Sequence, residues 1–231
     1  MSKITAALFD FGGVILSSPF DAFARYETDH QLPAGLIRSL NATNHHDNAW
    51  AKLERNEVTM GDFYDLFEAE ASDAGHTVDA RVIMSLLAGE VRPNMVEALR
   101  RCALHLKTAC LTNNFVVGDL GDGPGAAQEG AAGAASDLAA LAAGRSAAIS
   151  AVMGHFDVVI ESSKVGVRKP DPRFYRIACE QLGIDPQEAV FLDDLGINLK
   201  PAREMGMTTI KVTDPEAAIT ELEEVVGFAL R

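Results

Sequence analysis

The chain has 231 residues, 48% of them hydrophobic and only 6% aromatic, enough for one sizeable core or for a core with a smaller companion. Its 33 acidic against 20 basic residues give a net charge of −13, a surface that repels nucleic acid and anionic membranes and argues against both as partners. No apolar run approaches the roughly 18 residues a bilayer span needs. The opening Met1-Ser2-Lys3-Ile4 lacks the zones of a signal peptide, so a cytoplasmic protein is expected.

The first element is the apolar run Ile4 to Phe9, which ends at Asp10 and is followed by Gly12-Gly13. It reads as a buried strand breaking into a tight loop. From about Pro19 to Gly89 apolar residues recur at helical spacing, as in Phe63, Leu66, Phe67 and in Val82, Ile83, Leu86, Leu87. This stretch is expected to be an insert of several short helices. Within it, Trp50 reads as an apolar anchor, His45 and His46 as a polar face or loop, and Glu54-Arg55-Asn56-Glu57 as a solvated helix end.

Pro93 starts a helix through Cys102, and Leu106 to Leu111 is a second strand ending at Thr112-Asn113-Asn114. Residues 118–148 hold Gly121-Asp122-Gly123-Pro124-Gly125 and an Ala/Gly-rich tract, without nucleotide-loop spacing, and read as a flexible surface insertion with a weak helix near its end. A third strand is expected at Phe156 to Ile160, a helix at Phe174 to Leu182 stopped by Gly183, and a fourth strand from Ala189 into Asp193-Asp194. Helix 199–205, strand 208–212 and a last helix from Pro215 to Val226 complete the series. Short buried strands alternating with helices predict an α/β fold, a parallel sheet covered on both faces. Cys102, Cys110 and Cys179 show neither zinc-like nor CxxC spacing and read as buried free thiols.

Four polar clusters fall at or just beyond the carboxyl ends of these strands: Asp10, Thr112-Asn113, Lys169 and Asp193-Asp194. In open parallel sheets ligands bind outside those ends, so the clusters should converge. Singly each is ordinary, since an Asp after a strand is usually a turn former and paired aspartates usually cap helices. Together they offer carboxylates for a cation, a hydroxyl and an amide for oxyanions, and a lysine to offset charge.

The run Ala7-Leu8-Phe9-Asp10-Phe11-Gly12-Gly13-Val14-Ile15 resembles the first motif of haloacid dehalogenase-like hydrolases. Leu111-Thr112-Asn113-Asn114, Lys169 in Val167-Arg168-Lys169-Pro170-Asp171-Pro172, and Phe191-Leu192-Asp193-Asp194 through Asn198 resemble the second, third and fourth. Within that superfamily the stretch from His155 to Arg203 is especially similar to the N-terminal phosphatase domain of mammalian soluble epoxide hydrolase, and to the related domain fused to an acyl-CoA dehydrogenase. The resemblance covers the chain apart from 118–148, with no epoxide-hydrolase domain expected. It implies a Rossmann-like core over 1–17 and 90–231 and an all-helical cap over 18–89.

The resemblance further implies Mg²⁺ as cofactor and a small-molecule phosphate ester as partner. Asp10 would be nucleophile and metal ligand. The Gly12 carbonyl and Asp194 would also hold the metal, with Asp193 bound directly or through water. Thr112, Asn113 and Lys169 would hold the phosphoryl oxygens, and Asn198 would orient the acidic pair. One departure stands out. Phosphatases of this superfamily usually carry a second aspartate where this chain has Gly12, and a glycine cannot transfer a proton. A silent phosphate-binding or interaction module is therefore the main alternative, with a 2-haloacid dehalogenase and a phosphomutase behind it.

Overall fold

The computed structural model describes residues 3–87, 89–114 and 147–231. Five strands form one parallel sheet in the order β3-β2-β1-β4-β5, with β1 at Ala6–Phe9, β2 at Lys107–Thr112, β3 at Val158–Glu161, β4 at Ala189–Asp193 and β5 at Thr208–Lys211. The α/β architecture expected from the alternation of short apolar runs and helices is present.

Period-two side-chain alternation explains the layering. Ala7 and Phe9 of β1, Cys110 of β2, and Val190 and Leu192 of β4 point to one face. There they meet Met95, Ala98, Leu99 and Cys102 of helix Pro93–Cys102, and Ala218, Ile219 and Leu222 of helix Pro215–Val226. Ala6, Leu8, Ala109, Leu111, Ala189 and Phe191 point to the other face. They pack on Phe174, Tyr175, Ala178, Cys179 and Leu182 of helix Pro172–Leu182 and on Leu199 and Ala202 of helix Gly196–Glu204. All four residues of β1 are fully buried, which is why the strand reads as a continuous apolar run. The three cysteines are free and buried.

Residues 20–87 form five helices, Phe20–Asp29, Leu36–Ala42, Ala49–Glu54, Met60–Asp73 and Ala80–Ser85, around a hydrophobic cluster of their own. Trp50 is its anchor, packed edge-on against Phe63 and Phe67 with ring centroids 4.9 and 5.9 Å away. The short helices are fixed at their starts by side chains: Asn48 accepts from the Ala51 amide, Thr59 and Asp62 form a capping box, and Asp79 accepts from Arg81 and Val82.

Two chain segments join this helical part to the sheet, and they lie side by side. Leu16 bridges Val91, the Ser17 amide donates to Glu90 O at 2.7 Å, and the Arg92 amide donates to Ile15 O at 2.9 Å. Gly89 sits so close to Ser17 that a Cβ there would meet the Ser17 carbonyl oxygen at 2.5 Å.

Helix Gly196–Glu204 begins three residues earlier than expected, directly after the extended Leu195, with Pro201 inside it. The strand expected from Phe156 begins at Val158 instead. Asp157, just before it, accepts at its side chain from the Thr108 amide at 2.8 Å while its own amide donates to Thr108 O at 3.0 Å. The Gly/Ala-rich insertion 118–148 lies outside the described residues except for Ala147 and Ala148, which belong to a helical run over 147–153. No helix among the described residues is long and apolar enough to cross a membrane.

Candidate active site

Parallel pairing aligns the strands so that their polar ends share one edge. Phe9 of β1 is level with Cys110 of β2 and Leu192 of β4, so Asp10, Leu111 and Asp193 follow in one row. The chain then turns sharply. The Asp10 carboxylate accepts from the Phe11 amide at 2.6 Å, and the Leu16 amide closes the turn on Phe11 O at 2.8 Å. Gly13 within this turn has φ +78°, a left-handed conformation that favours glycine, and a Cβ there would collide with the Asp194 carboxylate. Arg92 secures the turn by donating from Nη1 to Gly13 O at 2.6 Å.

Lys169 lies at the centre. Its residue is 1% exposed, and Nζ sits 2.8 Å from Asp10 Oδ1 and 2.8 Å from Asp193 Oδ2. Removing one partner of such a buried pair costs on the order of 3–5 kcal/mol, so these three side chains must be present together. Burial alone would lower the lysine's pKa. The Asp10 and Asp193 carboxylates outweigh it and hold the ammonium above the usual lysine range.

Asp193 is fully buried and saturated with donors. Oδ1 accepts from the Leu195 amide at 2.8 Å and Asn198 Nδ2 at 3.0 Å, and Oδ2 accepts from Lys169 and again from Asn198 at 3.0 Å. Asn198 is held in turn by Tyr175, whose hydroxyl donates to Asn198 O at 2.6 Å. Asn113 clamps the lysine backbone from both sides, accepting from Lys169 N at 2.9 Å and donating to Lys169 O at 3.1 Å. Thr112, the last residue of β2, is half-buried beside it.

Asp10, Asp193 and Asp194 can bring one oxygen each to within 4.8 Å of the others. Fully ionised, three carboxylates against one ammonium would carry a net charge of −2. The imbalance shows in their acidity. Burial raises Asp10 well above the carboxylate range, with Asp193 and Asp194 adding to it and Lys169 opposing. Burial, reinforced by Asp193 and opposed by Lys169 and Arg92, pushes Asp194 up to about 6. A compact oxygen-only donor set with a deficit of two charges fits a hard divalent cation. Gly12 follows Asp10 in the turn with ordinary φ −73°, and a Cβ there would meet nothing within 4 Å.

One residue behaves contrary to its sequence reading. Glu54 does not end a solvated helix: it is 9% exposed, and its Oε2 lies 2.7 Å from Arg168 Nε. Arg168 additionally donates from Nη1 to His45 O at 3.3 Å, so one side chain preceding Lys169 ties the helical part to the sheet. Arg55 and Glu57 do pair at an exposed position, as the reading of that segment expects. The signal that marks Glu54 is its place four residues after Trp50, on the same helix face as a buried aromatic.

The chain is 34% identical over 231 residues to acyl-CoA dehydrogenase family member 10 of Mus musculus, covering 97% of this chain and 19% of that protein. It is 32% identical over 241 residues to bifunctional epoxide hydrolase 2 of Sus scrofa, covering 98% of this chain and 40% of that protein. It thus spans less than half the length of either relative. Among solved structures, a Bacteroides thetaiotaomicron enzyme of the same family, in complex with magnesium and inorganic phosphate, superposes with a TM-score of 0.53 at 19% identity. That alignment covers 90% of this chain and 93% of the other. A family model described as haloacid dehalogenase-like hydrolase matches residues 4–206, and with the sheet and the strand-end cluster it places the chain among the haloacid dehalogenase-like hydrolases.

Proposed function

We propose that the protein is a Mg²⁺-dependent phosphatase of small phosphate monoesters, acting through an aspartyl-phosphate on Asp10, with residues 18–89 as a cap domain over a core of 1–17 and 90–231. The observation that supports it most is the gathering of Asp10, Asp193 and Asp194 around Lys169, which when ionised leaves a deficit of two charges for a cation to fill. A 2-haloacid dehalogenase has no use for that deficit, since its reaction needs no cation.

Asp10, Asp194 and the Gly12 carbonyl would hold the metal. The three donors already on Asp193, making four hydrogen bonds, favour a role through water and make its main task the positioning of Lys169. When bound, Mg²⁺ supplies positive charge that cancels the repulsion between a carboxylate and a phosphoryl group. Lys169, Thr112 and the Asn113 backbone would bind the phosphoryl oxygens, where negative charge accumulates in the transition state. Asp10 attacks phosphorus while the ester oxygen departs, and water then attacks the aspartyl-phosphate to return the free carboxylate. The Asn113 clamp and the Asn198–Asp193 contacts keep Lys169 in place through both steps.

Hydrolysis of a panel of phosphate monoesters with and without Mg²⁺ tests this reading. Turnover should require the metal, and Asp10→Asn should abolish it while phosphate binding persists. A wild-type protein that binds phosphate but hydrolyses no ester under any condition would instead be a silent phosphate-binding module.

A further inference from the structure

Among the described residues the helical insert and the sheet share no hydrophobic interior. The insert's cluster, with the partly buried residues packed on it, lies wholly within residues 20–87. The two chain crossings run side by side at Leu16-Ser17 and Glu90-Val91, so they fix the insert along one edge and leave it free to swing about that edge. A second attachment is needed to hold it in one orientation. Arg168 supplies it. Its Nε lies 2.7 Å from Glu54 Oε2, the two side chains are 13% and 12% exposed, and its Nη1 donates to His45 O at 3.3 Å. Helix Ala49–Glu54 is seated there against the short helix Ser162–Val165.

The chemistry of this contact suits a fastening that opens. Arg168 Nε and Glu54 Oε2 are buried, yet neither has an aligned hydrogen-bond partner among the described residues. Their attraction is therefore Coulombic, and parting returns to both the hydration that burial removed. Water has a route to the pair. A cavity of about 230 Å³ reaches Arg168, lined by His45, His46 and Arg55 of the insert and by Pro170, Asp171 and Arg173 beyond it. Arg168 also immediately precedes Lys169, so the contact borders the strand-end site. In this conformation that site is shut, with Asp10 7% and Lys169 1% exposed.

We infer that the Arg168–Glu54 pair is the latch of the insert. Closed, it holds the insert against the sheet beside the site. Parted, it lets the insert swing about the edge formed by Leu16-Ser17 and Glu90-Val91 and admit a ligand. The inference goes beyond the phosphatase reading and holds whatever that ligand is.

Single-molecule fluorescence transfer on the full chain tests it, with dyes on Asp73→Cys in the insert and Glu204→Cys beside the sheet. Both positions are exposed, and the three native cysteines are buried. Wild type should populate mainly one, closed state. Glu54→Gln and Arg168→Gln each leave the other charge buried and alone in the closed state and hydrated in the open one, so each should raise the open-to-closed ratio at least about tenfold. The double variant leaves no lone charge and should open no further than the more open single variant. Arg168→Lys keeps the charge but not the reach to His45 O and should open less than Arg168→Gln, and it keeps the test available where a neutral residue prevents folding. Wild-type populations in Glu54→Gln and in the Arg168 variants would overturn the inference. So would shifts that add in the double variant, or a wild type that is already mainly open. The readout needs no turnover, so a protein that hydrolyses no ester would end the phosphatase reading and leave the latch standing or falling on its own.

Discussion

Gly12 and Gly13 are adjacent and chemically identical, yet they carry opposite constraints. Gly13 is fixed at φ +78° with the Asp194 carboxylate packed against its α-carbon, whereas Gly12 has φ −73° and free space. Gly13→Ala must therefore displace Asp194 or rotate the turn that follows Asp10. Its Mg²⁺ affinity should drop roughly 10–100-fold, the range typical when a ligand's support is lost. Gly12→Ala should bind as wild type does. Titration calorimetry of both variants checks this, and equal affinities would show that Asp194 does not hold the metal. The sequence could not separate the two glycines, because the distinction depends on a carboxylate 181 positions away. It did mark Asp10, Thr112, Asn113, Lys169 and the Asp193-Asp194 pair, because each falls at or beyond a strand end whose apolar run is unmistakable. Glu54 was illegible for the converse reason. Its neighbours Arg55, Asn56 and Glu57 are polar, and only the docking of the helical insert onto Arg168 buries it.

Helix Pro93–Cys102 shows how an element remote from the chemistry supports it. Pro93 occupies its first turn, Arg100 and Arg101 fall in the last turn where they favour the dipole, and Arg92 just before it grips Gly13 O. Glu97 pairs with Arg100 at 2.8 Å and with Arg101 at 2.7 Å on the outer surface, and the hydrogen bonds from these two arginines lower its carboxyl from the ordinary 4.5 to about 2. A carboxyl depressed on folding stabilises the folded state above the unfolded pKa, and loses that effect as pH falls through the folded one. Glu97→Gln should thus melt below wild type at pH 7, by a small amount because the pairs are exposed. The two should converge between about pH 4.5 and pH 2. High salt should narrow the gap at pH 7. Thermal melts across pH check it, and a gap that persists at pH 2 would assign the effect to helix propensity. Elements of this kind were legible almost to the residue, since Pro93, Gly183 and Pro215 punctuate them. Boundaries slipped where tertiary contacts intervened, as at Asp157 and at the turn before Asn198.

At the scale of the molecule, burial among the described residues is divided among three hydrophobic clusters, two on the faces of the sheet and one wholly within residues 20–87. The parallel sheet was legible because both of its faces are covered and its strands are therefore apolar throughout. The helical insert was legible because its period changes to that of amphipathic helices. Its separate core was not, since nothing in the period says which helices share one interior. That separation has a consequence for stability. Ser17 and Glu90 are hydrogen-bonded neighbours, so a linker of two or three residues, whose closure costs little, can replace the insert without moving Ile15 or Arg92. The excised chain keeps both clusters on the sheet, the Arg92 grip on Gly13 and every contact of Lys169 with Asp10 and Asp193. It should fold cooperatively and bind Mg²⁺ within about tenfold of the full chain. Far-UV circular dichroism, a thermal melt and metal titration decide this expectation. An excised chain that is unfolded, or folded yet unable to bind the ion, would mean that the insert completes the sheet and does not merely cover it.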